Sequence, residues 1–259
     1  SVVAVFVRPL AHCLINAAHQ FLNKQGDESY ILAGYPWFKC RARDMFISLP
    51  GLTLAINEVE KFEMLMETAC KAVRAFINDE PTDLKIYEIE HPDILLWAVW
   101  CIQQYAKMVS REKCREKYGE ILEEIMEFLR HENHPNLFIH SNGLLYTNGH
   151  DKAVTWMNST ANGRPVIPRT GYVVEINALW YNALRFVADL LGEKESTMLT
   201  EALNKQAEQT GASFVNVFLN EHGYLLDYVD GIMMDWSVRP NMIFAAAFDY
   251  SPLDTRQKK

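Results

Sequence analysis

A chain of 259 residues that is 49% hydrophobic can bury a full-size core, which excludes a disordered or disulfide-stapled protein. A formal net charge of −8 opposes binding to a polyanion, because phosphate contacts need a dense surface of Lys and Arg; neither nucleic acid nor an anionic membrane is expected as partner. The five cysteines, Cys13, Cys40, Cys70, Cys101 and Cys114, form no C-x-x-C pair and read as reduced core residues of a cytoplasmic protein.

The opening SVVAVFVRPL is apolar, but Arg8 and Pro9 stop it well short of the ~20 residues of a membrane span. The start at Ser1 and the end in DTRQKK read as those of a piece of something longer. A helical pattern near 9–24 is followed by AGYPWFKCRARDMFISLPGL, starting at Ala33, which crowds aromatic and basic residues ahead of an apolar run. Arg43 and Asp44 open a helical pattern over 43–57. There Asp suits the positive end of a helix, and a donor beside an acceptor can either grip sugar hydroxyls or serve as an N-cap with a neighbouring salt bridge.

Next, Phe62, Leu65, Met66, Ala69, Cys70, Val73 and Phe76 share one face at three- and four-residue spacing, an amphipathic core helix. Residues 93–109 are apolar nearly all round and read as an inner helix. Residues 114–130 set Ile121, Leu122, Ile125 and Leu129 against four glutamates and read as an outer one. His131 and His134 mark a helix terminus. FIHSNGLLY from Phe138 and FLNEHGYLL from Phe218 then echo each other at an offset of 80 residues, and the same offset pairs Trp156 with Trp236; each piece reads as a small hairpin leading to a Trp. Helical patterns at 174–191, 194–210 and 240–247 complete the chain, and strand-like alternation is confined to short pieces. Helices joined by alternating long and short loops point to a stack or ring of helical hairpins whose loops gather aromatics and carboxylates on one face. Exposed Trp and Tyr rings there can stack on the apolar face of a sugar. No Gly-rich phosphate loop, H-E-x-x-H or clustered Cys/His spacing occurs, so no metal or cofactor is expected.

Three ordered blocks resemble one family. AGYPWF with RARDMFISLPGL is similar to a YPWF-x-x-WGRD-x-FISLPGL signature, TWMNSTANGRPVIPRTGYVVEINALWYNAL to TWMD followed by TPR and VEINALWYNAL, and RPNMIFAAAFDYSPL to RPNQ-x-x-A. The family is the amylo-α-1,6-glucosidase domain of glycogen debranching enzymes. The resemblance implies an all-α fold, an (α/α)6 toroid. Its funnel would hold an α-glucan end, from glycogen or limit dextrin, and hydrolyse a single α-1,6-linked glucose stub with inversion. Residues 1–259 would form one such domain. About eight helical patterns against the twelve helices of a toroid lead us to expect an incomplete ring, with the usual catalytic base beyond Lys259.

Carried over position by position, Arg43 and Asp44 would grip the terminal glucose, with Tyr35 and Trp37 as the aromatic motif. Trp156 would flank the scissile bond, while Glu175, Asn177, Trp180, Arg239 and Asn241 would line the funnel. Two departures bear on activity. Asn158 stands where the family has its presumed general acid, and an amide cannot donate that proton, which leaves Glu175 and Asp44 as the nearest substitutes. Arg41 and Ala42 replace a Trp-Gly pair, removing an aromatic wall and adding charge. Two functions therefore stand side by side: an exo-acting glucosidase, and a glucan-binding relative without hydrolysis.

Overall fold

The structure, a computed structural model, describes residues 2–34, 37–194 and 196–259, with side chains from Leu10 onward. The chain divides into two compact units, residues 1–89 with 101–114 and residues 90–100 with 115–259.

In the first unit, α1 (Val2–Gln20) leads into a hairpin of β1 (Leu22–Gln25) and β2 (Glu28–Ile31), whose buried Ser29, Tyr30 and Ile31 face the core. β3 (Cys40–Arg41) runs directly into α2 (Ala42–Leu52), which buries Ala42, Met45, Phe46 and Leu49. Pro50 lacks the N–H that would continue this helix, and a short 3-10 turn over Leu54–Ile56 follows it. α3 (Val59–Ile77) buries Phe62, Leu65, Met66, Ala69 and Val73, as the spacing predicts, while Cys70 and Phe76 at the stripe's edge stay half-buried. β4 (Ile86–Tyr87) pairs in parallel with β3.

Two helices contribute residues to both units, α4 (Ile94–Met108) and α5 (Arg111–Arg130). In the first unit Tyr105 stacks on Phe62 at 5.3 Å and donates to Glu63 at 2.5 Å. In the second unit Trp97 meets Trp100, Phe244 and Phe248 edge-on and donates its Nε1–H to Asp93 at 3.1 Å.

The second unit continues through β5 (Phe138–Ile139), β6 (Leu145–Thr147), β7 (Thr160–Ala161), β8 (Arg164–Pro165) and β9 (Gly171–Val173). It ends with α6 (Val174–Gly192), α7 (Met198–Phe218), β10 (Tyr228–Asp230), β11 (Met233–Met234) and α8 (Met242–Ala247). α6 is buried on nearly every side and is the central helix of this unit, flanked by α7 and α8. α7 opens on a capping box in which Thr197 and Thr200 exchange side-chain and backbone bonds.

Five strands form one antiparallel sheet in the order β11-β10-β9-β6-β5, while β7 and β8 make a separate hairpin. This overturns the expected all-α toroid: helix accounts for about 51% of the chain, beside a five-stranded sheet and further small sheets. The strands of the five-stranded sheet show no alternation in the sequence because each is only two or three residues long, too short for a period of two to register. The helices were legible because their apolar repeats run for several turns.

The two echoing pieces fold into the same turn. His140 accepts from Gly143 N–H at 2.8 Å and donates its own N–H to Leu144 at 3.0 Å; Asn220 does the same with Gly223 and Tyr224, both at 3.0 Å. Gly143 and Gly223 take φ of 83° and 82°, a left-handed conformation that only glycine adopts without strain.

Candidate functional site

In the second unit, the loop between β8 and β9 turns Arg169 inward, where its side chain is 2% exposed. A guanidinium that is so deeply buried must be paired, and it is saturated with partners. Nη1 and Nη2 hold the Glu175 carboxylate in a fork at 2.5 and 2.6 Å. Nη2 also donates to Asp227 Oδ1 at 2.9 Å and to the Asp227 carbonyl at 3.2 Å, and Nη1 to Thr155 Oγ1 at 3.1 Å. Nε lies 2.8 Å from Asp227 Oδ2 without the alignment of a hydrogen bond, so this contact is ionic. Burial opposes the charge on Arg169, but the Glu175 hydrogen bond, the Glu175 charge and the Asp227 carboxylate outweigh it and raise its pKa.

Asp227 is the hub. Its carboxylate also accepts from Arg239 Nη1 at 2.8 Å and from Asn241 Nδ2 at 2.7 Å, and its carbonyl accepts the Val174 N–H that opens α6, at 3.1 Å. Arg239 reaches on to Asp235 at 2.7 Å. Burial works against the Asp235 carboxylate, yet hydrogen bonds from Ser237 and Arg239 hold its pKa below the usual range. Burial likewise opposes the Arg239 charge, and Asp235 and Asp227 raise its pKa in compensation.

The network ends at the surface on an aromatic ring. Asn241, fully buried, accepts the Trp156 Nε1–H on Oδ1 at 2.8 Å and directs Nδ2 at Met157 Sδ, 3.2 Å away. Trp156 is thereby fixed in orientation while 47% of it stays exposed. An anchored, half-exposed indole is suited to stacking on the C–H face of a sugar, with its N–H already satisfied. Asn158, two residues on, is exposed, and its backbone N–H folds back to the Trp156 carbonyl at 2.9 Å.

Asn177 and Trp180 sit elsewhere on α6 and are fully buried. Asn177 brackets β6, accepting from Leu145 N–H at 2.7 Å and donating to the Leu145 and Val173 carbonyls at 3.0 and 3.1 Å. Trp180 donates to the Gly143 carbonyl at 3.2 Å. Both side chains fasten the β5–β6 hairpin. Glu175 is equally committed: both its oxygens face Arg169, with its side chain 2% exposed, which leaves no carboxyl oxygen to deliver a proton to a substrate.

In the first unit, Arg43 is buried in the first turn of α2 and Asp44 beside it is exposed. The protein around the Asp44 carboxyl partly desolvates it and raises its pKa against the pull of Arg43 and Arg41, with Glu88 adding to the rise. Trp37 is 82% exposed and Phe38 51%. Arg41, standing where the resemblance expects a Trp, places its guanidinium 5.1 Å over the Phe38 ring and pairs with Glu88 at 3.5 Å. Tyr35 lies outside the described residues.

Sequence reasoning brought forward Glu175, Trp156, Arg239 and Asn241, which the fold does unite in one network. It passed over Arg169, Asp227, Asp235 and Thr155. Arg169 carried a signal, since it lies within the second block at the family's TPR position; Asp227 carried none, being 58 residues further on in a stretch without a motif. Among the described residues no group of His, Cys, Asp and Glu could hold a metal ion, and no helix is long and apolar enough to cross a membrane.

No curated protein matches the chain. Residues 16–259, nearly its whole length, match the family described as Amylo-alpha-1,6-glucosidase. With this match beside the anchored Trp156 and its arginine–carboxylate support, the chain belongs to the amylo-alpha-1,6-glucosidase family, whose members are associated with glycoside hydrolysis.

Proposed function

We propose that this protein acts on α-glucans in glycogen debranching, by hydrolysing α-1,6-linked glucose stubs at branch points with inversion. The observation that carries the reading is Trp156, a sugar-sized aromatic surface held by Asn241 and, through Asp227, by the buried Arg169–Glu175 pair. In this reading Trp156 stacks on a glucan in the second unit, and in the first unit, taken by itself, Trp37, Tyr35, Arg43 and Asp44 grip sugar hydroxyls. Arg239 and Asn241 orient Trp156, and Asn177, Trp180 and Glu175 hold the scaffold beneath it.

Inverting hydrolysis needs one carboxylic acid to protonate the leaving oxygen and one carboxylate to activate water, ~6.5–9.5 Å apart. Glu175, Asp227 and Asp235 are all paired with arginine, and hydrogen bonds from Ser237 and Arg239 hold the Asp235 carboxyl below its usual range. The Asp44 carboxyl is biased toward protonation by the protein that partly desolvates it. Asn158 at the acid position therefore supports a second reading, glucan binding without hydrolysis.

Glucose release from a branched limit dextrin separates the two readings. If the family acid position is intact in all but its side chain, Asn158→Asp raises glucose release by ~10²- to 10⁴-fold, the usual contribution of general acid catalysis. Glucan binding with no glucose release from either form assigns the binding role. Absence of both binding and release overturns the two readings together.

A further inference from the structure

A cleft of about 510 Å³ opens in the first unit, within the ~300–1,000 Å³ range of small-molecule sites. One side is aromatic, formed by Tyr30, Trp37, Phe38 and Tyr87, and Trp37 is 82% exposed, which core packing does not explain. The amides of Asn23 and Gln25 and the ammonium groups of Lys39 and Lys85 supply the polar side.

The charge of this lining is unusual for a chain of net charge −8: among the described residues it holds two lysines and no carboxylate. The adjoining hollow, which shares Gln25, Tyr30 and Lys85, instead mixes Glu28, Glu80 and Asp83 with Lys71 and Arg74. Glu28, at the end of the same hairpin, is drawn away by Lys71 at 3.1 Å and Thr68 at 2.9 Å. Neither cleft lysine forms an ion pair among the described contacts. Lys39 sits 5.0 Å over the Tyr87 ring, and Lys85 donates to Gln25 Oε1 at 2.8 Å. Both cations are thus held by neutral partners and keep their charge for a ligand.

Aromatic faces recognise the C–H surface of a sugar, amides its hydroxyls, and paired ammonium groups an anion. We propose that this cleft binds a phosphate monoester of a hexose, with the sugar on Trp37 and the phosphate between Lys39 and Lys85. The site goes beyond the neutral glucan contact proposed above and rests on it only in taking Trp37 as a sugar contact.

Calorimetric titration of the chain with glucose 6-phosphate, glucose, inorganic phosphate and a phosphorylated maltodextrin tests the site. Glucose 6-phosphate is expected to bind about tenfold or more tightly than glucose or inorganic phosphate, and less tightly as salt is raised. Lys39→Gln and Lys85→Gln, both at exposed positions, each weaken it about three- to fivefold, the scale of one exposed charge contact, with the circular dichroism spectrum unchanged. Trp37→Ala weakens the sugar phosphate and leaves inorganic phosphate unaffected. Tighter binding of the maltodextrin assigns the phosphate to a glucan ester, and tighter binding of glucose 6-phosphate assigns it to a free sugar phosphate; either supports the site. Equal affinity for glucose and glucose 6-phosphate, equal affinity for inorganic phosphate, or indifference to both lysine substitutions overturns it. Neutral maltotriose provides the separate check on the glucan reading, since its binding is expected to fall with Trp156→Ala and to ignore the lysine variants.

Discussion

Asp227 neutralises two arginines from a site that is 1% exposed, and its carboxylate and carbonyl together tie α6, Asn241 and Arg169 into one unit. Removing its charge while keeping its volume leaves a buried cation short of a partner, which typically costs ~3–5 kcal/mol. Asp227→Asn is therefore expected to lower the urea midpoint of unfolding by that equivalent. Glu67→Gln, which breaks a pair with Lys71 whose partners are 71% and 49% exposed, changes stability by less than ~1 kcal/mol. Equal effects from the two substitutions would mean that the Asp227 site is solvated. The same desolvation explains why the candidate residues differ so much in legibility. Trp156 and Glu175 stand in a recognisable block, whereas Asp227 acquires its role only by meeting Arg169, 58 residues earlier in the chain.

The twin turns at Gly143 and Gly223 separate backbone strain from packing. A Cβ at Gly223 meets nothing within 4 Å, so Gly223→Ala adds only the left-handed strain, ~1–2 kcal/mol. A Cβ at Gly143 comes 3.1 Å from Thr210 Oγ1 and 3.3 Å from both Gln209 Cγ and the Thr210 nitrogen, in a turn that α7 also grips. Thr210 and Trp180 both donate to the Gly143 carbonyl, and Gln209 and Ser213 to the carbonyls of Ser141 and Asn142. Gly143→Ala is expected to cost at least ~1 kcal/mol more than Gly223→Ala, because docking contacts are displaced as well. Thermal unfolding of the two variants compares them directly. Two pieces with the same turn thus serve different loads, one clamped by two helices and the other closing on open space.

At the scale of the whole molecule, His134 is a buried contributor to acid stability. His134, 1% exposed, is pushed down to about 4 from its ordinary 6.5 by burial, against the opposing pull of a His91 backbone bond and the Asp93 charge. Its Nδ1 accepts the Asn136 N–H at 3.1 Å, a bond available only to the unprotonated nitrogen. Because the native pKa lies below the unfolded one, the unfolded chain binds the extra proton first as pH falls through 6.5. The stability present at neutral pH is lost from there down to about pH 4. Between pH 7 and 5 this group alone removes about 2 kcal/mol. His134→Gln is expected to flatten that part of the pH profile of unfolding, and a profile of undiminished slope would assign the loss to other groups.

The sequence by itself determined the helices, the family and four members of the Trp156 network, Trp156, Glu175, Arg239 and Asn241, because multi-turn apolar repeats and contiguous motif blocks are local properties of the chain. It also carried the two matching turns, since a glycine at the same place in each, Gly143 and Gly223, permits the left-handed backbone that the turn requires. The tertiary structure alone decided the five-stranded sheet, whose strands are too short to have a period and are joined by distant pairings, Tyr146 with Tyr172 between β6 and β9 and Val173 with Tyr228 between β9 and β10. It also decided that Glu175, Asn177 and Trp180 face inward, since only the fold brings Arg169, Leu145 and Gly143 within hydrogen-bonding distance of them.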